Sequence, residues 1–513
     1  MNNSSEVIIS IDAGTSIIKT VAFDLEGKLL ASTTRTNDYS ILEHGCVIQD
    51  MDNTWDKTIQ CLRDLLEIID HKNIIAFSVT GQGDGTWLID NDGKSTHPAL
   101  LWLDSRSSNI VNKLRKDPND VERYNINMTG LMSCHQGPQL IWFKENNKEI
   151  LQRSVKALHC KDWIYYNLTG EIVTDPSEAI VSYGDLEKRC YSDEVIEILG
   201  LTSQKYLLPE ISNGLYESHP LKKEISKDFN VKIGTPVILG YIDGICTQVG
   251  AGMSKNDKEN CFSIVGSTGG HAIIRKSLNE VKLNSQRTGF CTVYPEGFKI
   301  VQTQAHMSAT LNIDWLFQIA SDLFDRNGIN VDKNEFLKDI DQHILEIPPS
   351  NIIFHPFISS AGERGPFINS DARASFVGLN SQHGYFDLMR SVFEGLAMAA
   401  KHCFLSIGSI GSTVILSGGV SKNESFCKIY STALNKKVKP AFYSEAGAAG
   451  AAMIAAVNLG VFSDLKSCSQ KWIQDNHISV YKPDPDFRGY YDKLYENYLE
   501  SLKRVEPLWG KIK

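Results

Sequence analysis

Two aspartates stand where apolar runs meet small-residue turns. Asp12 closes the first run of "IISIDAGTSIIKTVAF", and Asp243 closes "TPVILGYIDG". The turn after Asp12, Gly14-Thr15-Ser16, is of a kind that aims successive backbone N–H groups at one point and holds phosphate oxygens without a fixed positive charge. Thr15 and Ser16 add hydroxyl donors, and Lys19 adds a cation. A second turn of the same chemistry runs from Gly266 through Ser267 and Thr268 to Gly270. A third lies in "LSGGVSKNES", where Gly418 and Gly419 end a strand and Ser421 or Asn423 is suited to cap the next helix. One such turn is usually only a turn. Three, each ending a strand, favour nucleotide binding. Neither G-x-x-x-x-G-K-[ST] nor G-x-G-x-x-G after a strand occurs, which argues against a P-loop or a Rossmann site.

An acid beside bound phosphates repels them unless a cation lies between. Asp12 therefore reads as a ligand, direct or through water, for the Mg²⁺ that accompanies ATP. A turn-capping aspartate is an equally good reading on spacing alone. Phosphoryl transfer also needs a group that takes the proton of the acceptor hydroxyl, and Asp243 is placed for that role. Without the rest of the pattern, Asp243 would read as a turn residue before Gly244. Cys134, next to His135, has the makings of a nucleophile, but a single cysteine in a large chain is better read as packed.

The elements that must position these groups alternate. Strand-like runs include "VIISIDA", "IIAFSVT", "TPVILGYID", "CFSIVGS" and "TVILSGG", and helical stretches include "NTWDKTIQCLRDLLEIID" and "GAAGAAMIAAVNLG". This predicts an α/β protein with sheets covered on both faces. "VIISIDAGTSIIKTVAF" returns loosely as "CFSIVGSTGGHAIIR", about half a chain later, so two related domains facing one cleft are expected. The polar stretch "GAGMSKNDKEN" marks a boundary, drawn as 1–247 and 248–513. The tail from "YKPDPDFRGYYDKLYENYLESLKRV" predicts an amphipathic last helix able to pack back on the first domain. At 513 residues the chain exceeds one compact core. A net charge of −9 argues against a nucleic-acid surface. No apolar run is long enough to span a membrane. The start "MNNSSEVIIS" lacks a signal core, so a cytoplasmic protein is expected. Eleven scattered cysteines without a C-x-x-C pair fit reduced thiols.

The ordered set of motifs resembles the FGGY carbohydrate kinases over almost the whole length. Asp12-Ala13-Gly14-Thr15-Ser16 with Lys19 resembles the first phosphate motif. Gly81-Gln82-Gly83-Asp84-Gly85, followed by Trp102-Leu103-Asp104-Ser105-Arg106, resembles the sugar-binding segment. "GYIDGICTQVGAG" resembles the strand carrying the catalytic aspartate, and "VGSTGG" the second phosphate motif. "GERGPFINSDARASFVGL" resembles the Gly-Glu-Arg-x-Pro segment, and "LSGGVSKNESF" with "EAGAAGAAMIAA" the adenosine motif and its helix. The resemblance implies two similar actin-like (ribonuclease H-like) domains with the catalytic cleft between them, and an ATP- and Mg²⁺-dependent phosphotransferase acting on a small sugar or polyol. It implies Asp243 as general base, Asp12 and Asp243 near the metal, and Thr15, Ser16, Lys19, Ser267 and Thr268 on the phosphates. Gly418, Gly419 and Asn423 fall beside the nucleotide, and Gln82, Asp84, Trp102 and Asp104 beside the acceptor. By analogy it also implies a homodimer.

This chain departs from the family at the acceptor. Glycerol kinases usually have Gln-Arg-Glu, and D-xylulose kinases Gln-Met-His, where this sequence has Gln82-Gly83-Asp84. An acid accepts hydrogen bonds from hydroxyls but cannot donate to a carbonyl. This leans toward a carbonyl-free polyol, with the missing side chain at Gly83 expected to leave room for a chain longer than glycerol. The pattern is most similar to the erythritol and L-xylulose kinase branch. Leu103 replaces the family's Asn in Trp-Asn-Asp. Other readings are a kinase for another pentulose or pentitol such as xylulose or ribulose, an actin- or chaperone-like ATPase, and a catalytically dead sensor. The clustered polar groups from Gln82 to Arg106 speak against the ATPase, and the intact Asp12 and Asp243 against the sensor.

Overall fold

The computed structural model of the chain describes residues 6–511 apart from 257–260, 327, 330, 350 and 475–477. Its frame is two six-stranded sheets. The first runs in the order His219–Pro220, Pro236–Leu239, Ile74–Gly81, Val7–Ala13, Ile17–Asp24, Leu29–Thr36. The second runs Lys437–Pro440, Thr413–Ser417, Cys261–Val265, Gly269–Arg275, Ile300–His306, Phe290–Val293. In both, two parallel neighbours lead to a hairpin and then to a further antiparallel strand. The two similar sequence stretches are the hairpin of each sheet, so the repeat is structural. The apolar runs are continuous rather than alternating because both faces are covered: Ile8, Ile9 and Ile11 are all fully buried.

The strand read as ending on Asp243 stops at Leu239, and Asp243 is instead the first residue of the Asp243–Gly250 helix. The chain leaves the sheet at Gly240, whose N–H donates to the Val79 carbonyl at 2.7 Å. Ile242 then donates its N–H to Ser177 Oγ at 3.1 Å. Tyr241 is fully buried outside the sheet, which is why "VILGYI" looks like uninterrupted strand. The division between 247 and 248 falls inside this helix, and residues 257–260 of the polar boundary stretch lie outside the described residues.

The Asp243–Gly250 helix crosses the Ala446–Asn458 helix backbone to backbone. A methyl at Gly450 would overlap the Cys246 carbonyl, and one at Gly250 the Ala446 carbonyl. One apolar cluster joins the halves here, with Ile8, Phe23 and Ile238 from one and Phe262, Ile415 and Met453 from the other. The expectation for the last helix is corrected. Arg488–Trp509 buries Tyr491, Leu494, Tyr498 and Leu502 in the second half's own core, against the Glu424–Leu434 helix and the Ile353–His355 strand. Its apolar stripe matches that surface, and the return to the first half is made earlier. Trp472, at the end of the Leu465–Trp472 helix, stacks on Phe23 at 5.7 Å.

Candidate active site

The hairpin of the first sheet sets Asp12 directly opposite Lys19. Lys19 Nζ reaches across to Glu445 Oε2 at 2.6 Å, at the start of the Ala446–Asn458 helix. A methyl at Gly447 would lie 2.6 Å from Asp12 Oδ2, so the bare backbone there lets the carboxylate reach the helix's positive end. These groups, with Thr247, Gly418, Gly419 and Lys422, line a cavity of about 460 Å³ fed by both halves. Burial raises the Asp12 carboxyl to about 6, opposed by Lys19 and reinforced by Glu445. Burial also raises Asp243 to about 7; the Asp12 charge adds to this and the Gly244 N–H opposes it. Two buried carboxyls, one of them raised further by the charge of the other, offer oxygen donors of the kind a hard divalent cation takes.

The two glycine turns expected at the nucleotide leave the second sheet together. The Cys261–Val265 and Thr413–Ser417 strands are parallel, with Ile264 paired to Ser417. Ser267 and Thr268 therefore turn beside Gly418 and Gly419. Gly418 has φ 95°, and a side chain there would overlap the Val265 backbone. Of the two suggested helix caps, Asn423 acts: its Oδ1 accepts from Phe426 N–H at 2.7 Å. Ser421 Oγ turns back to the Gly418 carbonyl at 2.7 Å. Gly419, Lys422 and Asn423 continue into a neighbouring cavity of about 510 Å³ with Thr310, Ile313 and Phe393.

Among the residues expected at the acceptor, Trp102 Nε1–H donates to Thr15 Oγ1 at 2.8 Å, and Thr15 Oγ1–H donates to Gln82 Oε1 at 2.9 Å. Gln82 Nε2–H continues to Gln49 Oε1 at 2.8 Å. Thr15 thus turns its hydroxyl toward Gln82 and Trp102, whereas Ser16 is exposed in the turn. Asp104 is buried and saturated by Val47 N–H at 2.7 Å and by Arg106, so it holds the 102–106 loop rather than offering a free oxygen. Gly83 does not leave the expected room, because a side chain there would overlap Ile242 Cδ1. That space belongs to the residue preceding Asp243. Asp84, at φ 56°, presents its carboxylate beside Cys134 Sγ (3.5 Å) and His135 Nε2 (4.0 Å). Burial pushes the Cys134 thiol well up, as befits a packed cysteine rather than a nucleophile.

Three functional candidates are not legible in the sequence. Glu178 Oε2 accepts from Asp84 N–H at 3.3 Å and faces His159 Nε2 at 3.7 Å, while its Oε1, buried beside Gly83, has no hydrogen-bond partner among the described residues. Burial pushes its carboxyl up. Behind it, fully buried Lys161 pairs with Asp162 (2.6 Å) and Asp175 (2.7 Å), and Asp175 caps the Pro176–Tyr183 helix that carries Glu178. The Asp-Pro-Ser-Glu start of that helix was the only available signal. Arg364 comes from the Gly-Glu-Arg-x-Pro segment of the second half and is close enough to act on the charge of His135. In the sequence His135 stands out only as a neighbour of Cys134.

Comparison with known proteins covers both halves. The FGGY family of carbohydrate kinases matches through its N-terminal domain over residues 7–250 and its C-terminal domain over residues 263–459. An erythritol kinase of Brucella abortus is 38% identical over 514 residues, spanning 100% of this chain and 99% of the relative. A xylulose kinase of Staphylococcus xylosus is 26% identical, spanning 94% of this chain and 97% of its own. The structure of a xylulose kinase from Lactobacillus acidophilus superposes with a TM-score of 0.88 at 24% identity, covering 99% of this chain and 100% of that one.

Proposed function

Because the chain belongs to the FGGY family of carbohydrate kinases, and is therefore a phosphotransferase, we propose that it transfers the γ-phosphoryl group of Mg-ATP to a hydroxyl of a small polyol of the erythritol type, with Asp243 as general base. The observation that carries the acceptor class is Asp84, whose carboxyl group sits partly exposed beside the buried side chains of Cys134 and His135. The full-length likeness to an erythritol kinase supports it.

Asp243 takes the proton of the attacking hydroxyl. With its carboxyl raised to about 7, it is a stronger base than a solvent-exposed aspartate and still ionises near neutrality. Gln82, fixed by Thr15 and Gln49, and Trp102, fixed by Thr15, form a rigid wall that orients the acceptor. The Gly418-Gly419 turn, Ser421 and Lys422 line the nucleotide cavity. Asp12 and Asp243 would hold the divalent cation, which supplies charge neutralisation on the transferring phosphoryl group.

The test is ATP consumption by the pure protein with erythritol, ribitol, xylitol, glycerol, L-xylulose and D-xylulose. Erythritol is expected to give the highest kcat/KM. A ketose as best acceptor would overturn the polyol reading and leave the kinase assignment intact.

A further inference from the structure

His135 precedes the Gln136–Asn146 helix as its N-cap, yet its side chain makes no capping hydrogen bond. The residue is 1% exposed, and among the described residues its Nε2 has no hydrogen-bond partner. A buried polar atom left so is costly unless something else satisfies it. Nε2 points at Asp84 Oδ1 across 4.0 Å. That gap is too long for a direct hydrogen bond. It suits one oxygen placed about 2.8 Å from both atoms, the usual hydrogen-bond length. The Asp84 carboxylate remains partly open, with its side chain 21% exposed, so a small molecule has a way in.

We propose that His135 and Asp84 read a single acceptor hydroxyl from both sides, His135 donating to its oxygen and Asp84 accepting its proton, so that His135 sets the preference for a sugar alcohol over the corresponding ketose. This rests on the polyol-kinase reading above. A hydroxyl satisfies both partners. A carbonyl oxygen satisfies His135 but has no proton to give, and it leaves the carboxylate facing a second acceptor. The imidazole is suited to this task in its neutral form. Burial lowers its pKa, Asp84 opposes the shift, and Arg123 and Arg364 add to it. The neighbouring carboxylate favours the tautomer with the proton on Nε2.

The test compares erythritol with erythrulose, its ketose of equal length, in wild type, His135→Phe and His135→Gln. Wild type is expected to favour erythritol by about tenfold or more in kcat/KM. His135→Phe keeps an aromatic ring and removes the donor. It should cost erythritol about ten- to a hundredfold and erythrulose much less, with the KM for ATP unchanged. His135→Gln, which retains an N–H donor, should recover part of the discrimination. Equal losses on both acceptors, or no loss, would overturn the assignment. Should His135→Phe fail to fold, wild type still decides: equal use of erythritol and erythrulose refutes the two-sided reading alone, whereas no activity on any sugar alcohol refutes the polyol reading beneath it.

Discussion

Asp243 carries two opposed demands. To serve as the proposed base its carboxyl must be ionised, yet burial and the Asp12 charge hold it up to about 7. Activity limited by this group should rise with pH through an apparent pKa below 7, because a cation held by Asp12 and Asp243 would favour the carboxylate, and should lose that limb in Asp243→Asn, whose turnover should fall about 10²–10⁴-fold. The same shift has a stability counterpart. An unfolded aspartate titrates near 4. Between about 4 and 7 the folded protein therefore holds a proton that the unfolded chain has released, so this site's contribution to stability falls as pH rises through that window. Asp243→Asn should thus be more thermostable than wild type at pH 8 and show little gain at pH 4. Melting curves at both values, run without ligand, check this. An equal gain at both would mean the carboxylate is not strained by its surroundings.

The hairpins at the heart of each sheet were legible because buried strands need continuous apolar residues and their turns need glycine. Asp12, Gly418 and Gly419 stand where that pattern put them. The start of the Asp243–Gly250 helix was not legible, since Tyr241 and Ile242 are as apolar as the strand before them and only the tertiary bonds of Gly240 and Ile242 turn the chain away. Nor were His135 and Glu178, whose meaning lies in unpaired atoms beside Asp84, a neighbour distant in sequence. The helix crossing shows how strictly packing then decides. Gly450 abuts the Cys246 carbonyl, so Gly450→Ala should destabilise by about 1–3 kcal/mol by forcing the two helices apart. Gly489 lies in the last helix with open space around it, and Gly489→Ala should stabilise by about 0.4–1 kcal/mol. Chemical denaturation of both variants checks the contrast, and a reversed order would contradict the crossing geometry.

At the scale of the molecule the two halves are alike in topology but not independent. They share an apolar core through the Asp243–Gly250 and Ala446–Asn458 helices. Phe23 of the first sheet packs between Tyr443 and Trp472 of the second half, with ring centroids 5.8 and 5.7 Å away. Tyr443 donates its hydroxyl to the Gly27 carbonyl at 2.6 Å. The Lys19–Glu445 pair adds little by comparison, since both side chains are partly exposed and screened. Unfolding either half alone would strip Phe23, Tyr443 and the Met453 face of their partners and open apolar surface at a cost of about 25 cal/mol per Å². Two domains joined by a polar surface commonly melt separately, but two domains sharing a core should melt together. Calorimetry should therefore show one transition with calorimetric and van't Hoff enthalpies in agreement. A non-hydrolysable ATP analogue with erythritol should shift that single transition upward, by mass action on the folded state. Two resolved transitions, of which the ligands move only one, would show that the shared core does not couple the halves.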